Sequence, residues 1–147
     1  LLIADEPTSA LDVTVQAQIL TLMKKMKEEF NLSLLLISHN LGVLVELCNE
    51  IAVMYAGQIV EIGPTSIILR QPAHPYTKAL MCSTINLSSL RKRLNPIEGM
   101  PPSLTSLPSG CRFYQRCPDA SLSCNEASPS LEISNQGHLV RCFHASR

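Results

Sequence analysis

The sequence predicts an α/β fold: a parallel sheet with helices packed on it, followed by a loop-rich, cysteine-containing module. Three observations lead there. Leu1–Ala4 and the stretch "NLSLLLIS" are unbroken apolar runs of the kind found in parallel strands covered on both faces. Between them, from Val13 to Phe30, the apolar positions Val15, Ile19, Leu22, Met23, Met26 and Phe30 recur at helical spacing, with Lys24, Lys25, Lys27 and Glu28 on the other side. Beyond Pro64 the texture changes, and from about Asn95 prolines, glycines and cysteines dominate.

The elements follow in order. Pro7 and the small residues after it end the first strand, and Asp12 is placed as the N-cap of the long helix. The second apolar run then closes a strand–helix–strand crossover. A short apolar helix around Leu41 to Cys48 comes next, and "IAVMYAGQIVEIG" reads as two short strands with Gly57 and Gln58 at the turn. Helices are expected over Ser66 to Arg70 and Tyr76 to Thr84, with His74, Pro75 and Tyr76 as a helix start that places Pro75 in the first turn. The segment "NPIEGMPPSLTSLPSGC", with Pro96, Pro101, Pro102, Pro108, Gly99 and Gly110, excludes regular helix and central strand. The expected division is therefore a first domain over 1–63, a helical connector over 64–94, and a tail module over 95–147 that needs a staple of its own. No internal repeat is present.

Composition limits the partners. The 147 residues carry 12 basic and 12 acidic side chains, so nothing points to nucleic acid or an anionic membrane surface. The run Arg91, Lys92, Arg93 reads as solvated surface. With no secretory leader pattern and no apolar run near the roughly eighteen residues of a membrane span, any membrane role is expected to come through partners.

The crossover carries the first chemical inference. Parallel strands point the same way, so Asp5 with Glu6 and Ser38 with His39 emerge on one edge, where ligands sit in open α/β sheets. An Asp at a strand end can hold Mg²⁺, which prefers oxygen ligands. A neighbouring Glu left free of the metal can orient or deprotonate a water for attack on a phosphate, and an imidazole can hold that Glu or donate to the phosphate. Taken singly, these residues also read as a solvated pair, a helix cap and a core histidine.

In order and on the right elements, the motifs resemble those of ABC-transporter nucleotide-binding subunits: "LLIADEP" the Walker B strand, "SALD" the D-loop, and "ISHNL" the switch-histidine segment. The tail segments "HPYTKAL", "PPSL" and "LPSGCRFYQRC" are similar to the C-terminal extension of the ATPase subunits of oligopeptide and dipeptide importers, an extension shared with importers of nickel and other small solutes. The resemblance implies a C-terminal part of a P-loop NTPase of the ABC type that uses Mg-ATP. It implies that Asp5 binds Mg²⁺ through water, Glu6 polarises the attacking water, and His39 senses the γ-phosphate. Ser9, Ala10, Leu11 and Asp12 then reach the interface of a head-to-tail dimer with a second ATPase subunit. The further partners implied are transmembrane permease subunits and, indirectly, an extracytoplasmic solute-binding protein, with the subunit peripheral on the cytoplasmic face of the membrane. The phosphate loop, glutamine loop and signature motif are expected upstream of Leu1, so these residues alone are expected to hydrolyse no ATP. The contrasting reading is a non-catalytic regulatory and dimerising module with a metal-stapled tail; a third is another ABC ATPase that acquired this tail without serving an importer.

Cys111, Cys117, Cys124 and Cys142 lie in the tail, with five, six and seventeen residues between successive members. Beside an ATPase core, four clustered cysteines favour metal over disulfides. Spacing leaves tetrahedral zinc and a four-iron cluster both open. The family resemblance implies the iron–sulfur choice, a [4Fe–4S] cluster held by cysteines at like positions. Cys48 and Cys82, on apolar helical segments, are expected to pack as small hydrophobes.

Overall fold

The computed structural model describes residues 1–84, 97–135 and 137–145. The Arg91–Lys92–Arg93 run lies outside them. The described chain forms two compact units, Leu1–Asn49 and Glu50–Arg147.

In the first unit, strand β1 (Leu2–Asp5) pairs in parallel with β2 (Leu34–Ile37), and helix α1 (Val13–Glu29) connects them. Helix α2 (Leu41–Leu47) follows. Asp12 caps α1 by accepting from the Val15 N–H at 2.9 Å, and Asn40 caps α2 from Gly42 N–H at 3.0 Å. Leu20 and Met23 of α1, Leu36 of β2, and Val43 and Leu47 of α2 form the buried core, with Ala4, Ile19 and Leu34 against it. The helical face is rotated from the one read off the sequence: Leu20 is inside, whereas Leu22 and Phe30 are exposed. Alternation along the strands sends the even-numbered side chains into this core and leaves Ile3, Leu35 and Ile37 exposed on the other face of the sheet. The expected cover on both faces is thus present on one.

The second unit is an antiparallel sheet with the order β3-β4-β6-β5. Its strands are β3 (Glu50–Tyr55), β4 (Gln58–Pro64), β5 (Glu132–Ile133) and β6 (Leu139–Val140). The turn between β3 and β4 is at Ala56 and Gly57, one residue earlier than the sequence suggested; both have positive φ (46° and 77°), as a two-residue primed turn requires. Helices α3 (Thr65–Arg70), α4 (Pro75–Thr84) and the short α5 (Leu122–Glu126) complete it. Pro75 begins α4, as expected, and the His74 ring Nδ1 accepts the Tyr76 N–H at 3.0 Å.

Two expectations change here. The tail does not stand apart, because β6 pairs with β4 at Glu61↔Val140 and Ile62↔Leu139. The two compact units divide at Asn49/Glu50. Cys48 does pack as a half-buried hydrophobe against the first core. Cys82, however, is exposed on α4, since that helix buries the neighbouring stripe of Thr77 and Met81.

Candidate functional site

The first candidate site lies at the carboxyl ends of β1 and β2. The register Asp5↔Ile37 brings the two strand ends level, and the Glu6 N–H continues the ladder by donating to Ile37 O at 2.9 Å. Glu6 Oε1 then lies 2.7 Å from His39 Nδ1 and accepts the His39 backbone N–H at 3.0 Å, although 33 positions separate the two residues. Glu6 takes a left-handed backbone conformation, φ 46°, which costs a non-glycine residue about 1 kcal/mol or more. The two-point grip on its carboxylate holds that conformation. The His39 side chain is 82% exposed and that of Glu6 34% exposed, so the pair faces outward.

The other residues singled out at this edge are placed differently. Asp5 is exposed beside Glu6 at the strand end and makes no hydrogen bond to a described residue. Ser9 Oγ donates to Glu6 O at 2.8 Å and the Ser9 N–H to the same oxygen at 3.1 Å, closing the turn after the strand. Asp12 is engaged as the α1 cap. The structure therefore joins Glu6 to His39 directly and Ser9 to the Glu6 backbone.

The second candidate site is a small cavity in the second unit lined by Cys111, Cys117, Cys124 and Cys142, together with His74, Phe113 and His144. Its walls are fixed by short-range contacts. Gly110 passes so close to α5 that a Cβ there would lie 2.3 Å from Cys124 O, and the Cys111 N–H donates to that same oxygen at 2.7 Å. Buried Phe113 meets Tyr55 and Tyr76 edge-on, with centroids 5.1 and 5.5 Å apart. Burial pushes the Cys111 and Cys142 thiols up, and Cys117 up to about 11, which favours the protonated thiol. Against burial, backbone N–H groups reach each of those three sulfurs and favour the thiolate.

These donors and four soft sulfurs suit thiolate ligation of zinc or an iron–sulfur cluster. Among the described residues no group of three or more His, Cys, Asp or Glu side chains is arranged to hold a metal ion as it stands. Ligation would therefore require the sulfurs to shed their protons and close on the ion. The sequence reading missed His144, whose lone position three residues before the end of the chain gave no spacing signal.

A third cluster was not anticipated. Glu61 on β4 is fully buried, and its carboxylate accepts from Ala73 N–H at 2.7 Å, His74 N–H at 3.1 Å and His138 Nε2 at 2.6 Å. Three donors compensate a charge that could not otherwise be buried. His74, buried beside it, has its pKa lowered to about 4, chiefly by desolvation and against the pull of Glu61. This ties the "HP" of the helix start and the tail histidine to β4.

Residues 60–124 match the family model of the oligopeptide/dipeptide transporter C-terminal region. Over 97% of its length the chain is 47% identical to the dipeptide transport ATP-binding protein DppD of Bacillus subtilis, of which it spans 43%. It is likewise 48% identical to the oligopeptide transport ATP-binding proteins OppD of Salmonella typhimurium and AppD of Bacillus subtilis, spanning 42% and 44% of them. The chain thus covers less than half the length of these relatives, and it is homologous to the C-terminal part of peptide-import ATP-binding subunits.

Proposed function

We propose that this chain is the C-terminal part of the ATP-hydrolysing subunit of an ABC importer for peptides or related small solutes. The observation that carries the reading is the 2.7 Å contact between Glu6 and His39 at the ends of two parallel strands. In this reading residues 1–63 complete an ABC ATPase domain, 64–94 connect, and 95–147 are the importer-type extension.

At the nucleotide site Asp5, exposed at the strand end, would hold Mg²⁺ through water, and the ion would neutralise phosphate charge. Glu6 orients the attacking water and accepts its proton. His39 fixes the Glu6 carboxylate through Nδ1, and as imidazolium, with a hydrogen on each ring nitrogen, it would also donate from Nε2 to the terminal phosphate. Ser9 shapes the turn that presents "SALD", and Ser9 with Asp12 meets the second ATPase subunit of a head-to-tail dimer. No GxxxxGK[ST] phosphate loop occurs in the 147 residues, so by themselves they turn over no ATP. The remaining partners are transmembrane permeases and, through them, an extracytoplasmic solute-binding protein, with the subunit held on the cytoplasmic face. None of the helices described is long and apolar enough to cross a membrane.

In the tail, Cys111, Cys117, Cys124 and Cys142 hold a [4Fe–4S] cluster, with zinc the alternative. Their convergence on one cavity supports this, and bound metal would supply cross-links to a module with a small core.

The test for the ATPase reading uses the complete subunit with its permease. Glu6→Gln is expected to stop hydrolysis and leave nucleotide binding intact; undiminished turnover would overturn the assignment of Glu6. For the tail, anaerobically purified protein is expected to contain iron and sulfide in equal amounts, and stoichiometric zinc without sulfide would replace the cluster.

A further inference from the structure

The Glu6 carboxylate is carried by a backbone that residues other than glycine seldom adopt. Glu6 has φ 46°, in the left-handed region, and Pro7 follows it directly. Both peptide groups beside its Cα are tied down. On the strand side, the Glu6 N–H donates to Ile37 O of β2 at 2.9 Å. On the loop side, Glu6 O accepts from Ser9 twice, from the hydroxyl at 2.8 Å and from the N–H at 3.1 Å. A swing of φ to its ordinary negative range would turn the Glu6 carbonyl away from these donors. With the N–H anchored, the same swing would redirect Cβ, and with it the carboxylate that His39 meets at 2.7 Å.

We propose that Ser9 is a positioning residue for Glu6 of its own subunit: its hydroxyl holds the Glu6 carbonyl, and so the left-handed backbone that aims the carboxylate at His39 and at the attacking water. The inference rests on reading Glu6 as the group that orients that water. It is separate from the meeting of Ser9 with a second subunit, because the bonds that carry it lie within one chain. Every residue except proline at position 9 can supply the N–H bond; the shorter bond needs a side-chain hydroxyl. Ser9 is exposed, so removing its hydroxyl leaves the packing of the unit alone. The rate is the more sensitive quantity, since a misplacement of about 1 Å in a reacting group can cost about 10²-fold.

The experiment uses the complete subunit with its permease and compares wild type, Ser9→Ala, Ser9→Thr, Glu6→Gln and the double variant Glu6→Gln/Ser9→Ala. Ser9→Ala is expected to lower kcat for ATP about tenfold, the effect of one hydrogen bond, with KM and nucleotide binding unchanged. Ser9→Thr, which keeps the hydroxyl, is expected to recover most of that loss. In the Glu6→Gln background the residual hydrolysis of radiolabelled ATP should fall no further on adding Ser9→Ala, because a residue acting through Glu6 then has no carboxylate left to place. ATP-driven association of the Glu6→Gln subunits is expected to be equal with and without Ser9→Ala. A wild-type kcat in Ser9→Ala overturns the positioning role and leaves the reading of Glu6 standing. An equal fall in the Glu6→Gln background, or a loss of association, overturns it in favour of a role at the subunit interface alone. Undiminished turnover by Glu6→Gln itself overturns the reading of Glu6 and this inference together.

Discussion

The described residues contain two Glu–His pairs of nearly equal length, and their surroundings are opposite. Glu6 and His39 meet at 2.7 Å with the imidazole 82% exposed; Glu61 and His138 meet at 2.6 Å with both side chains fully buried. In each pair the carboxylate also accepts backbone N–H groups, one from His39 in the first and two from Ala73 and His74 in the second. The exposed pair is open to solvent and contributes little to stability, since water screens it. The buried pair can take nothing, yet removing one member strands a charge in a dry interior. A short Glu–His distance is therefore no sign of chemistry until access is known.

The comparison can be broken most directly by cutting each pair. Glu61→Ala is expected to destabilise the second unit by about 3–5 kcal/mol, whereas Glu6→Ala changes the first by less than about 1 kcal/mol. Chemical denaturation separates the two, because Tyr55, Tyr76 and Tyr114 all lie in the second unit and report on it alone. A Glu61 variant with wild-type tyrosine unfolding would show the buried pair to be dispensable.

Acid should sharpen the contrast next. His74 binds a proton near pH 6.5 when unfolded and near pH 4 when folded, so between those values the unfolded state holds more protons and stability rises with pH. This contribution is present above about pH 6.5 and is lost as the pH falls towards 4, a change of about 3 kcal/mol. The tyrosine-detected midpoint followed from pH 7 to 4 measures it, and His74→Gln should flatten the profile. A smaller effect is expected from Gly110→Ala, where the new methyl meets the Cys124 and Asn125 carbonyl oxygens; overpacking of this kind costs about 1–3 kcal/mol. The slightest is Glu6→Gly, which relieves the left-handed backbone and should raise the stability of the first unit by up to about 1 kcal/mol while removing the carboxylate. Far-ultraviolet circular dichroism, subtracting the tyrosine-detected transition, reads that gain; a loss instead would mean the carboxylate's hydrogen bonds outweigh the strain.

Much of the first unit was legible because its signals are local. Apolar runs, helical spacing and the Asp12 cap sit within a few residues of the structure they specify, and the two strand ends needed only the rule for parallel crossovers to bring Glu6 near His39. On the helix face Met23 is buried and Val15, Ile19 and Met26 half-buried as read, but Leu22 and Phe30 are exposed and Leu20 is inside, since several apolar residues offered overlapping stripes and the packed partners Leu36, Val43 and Leu47 selected among them. In the second unit the cysteine spacing announced a cluster. The two-residue strands β5 and β6 carried no periodicity, and nothing near Glu61 in the chain signalled a partner 77 positions away at His138.

What the sequence determined by itself was chemistry in its local setting: the carboxylates at a strand end, the histidine at the next, the four sulfurs in a proline-rich tail, and motifs that resemble those of peptide-importer ATP-binding subunits. The tertiary structure alone decided access and partnership. It exposed one Glu–His pair and buried the other, and it joined the tail to β4. Burial and long-range pairing depend on segments far apart in sequence meeting in space, and no local pattern records that meeting.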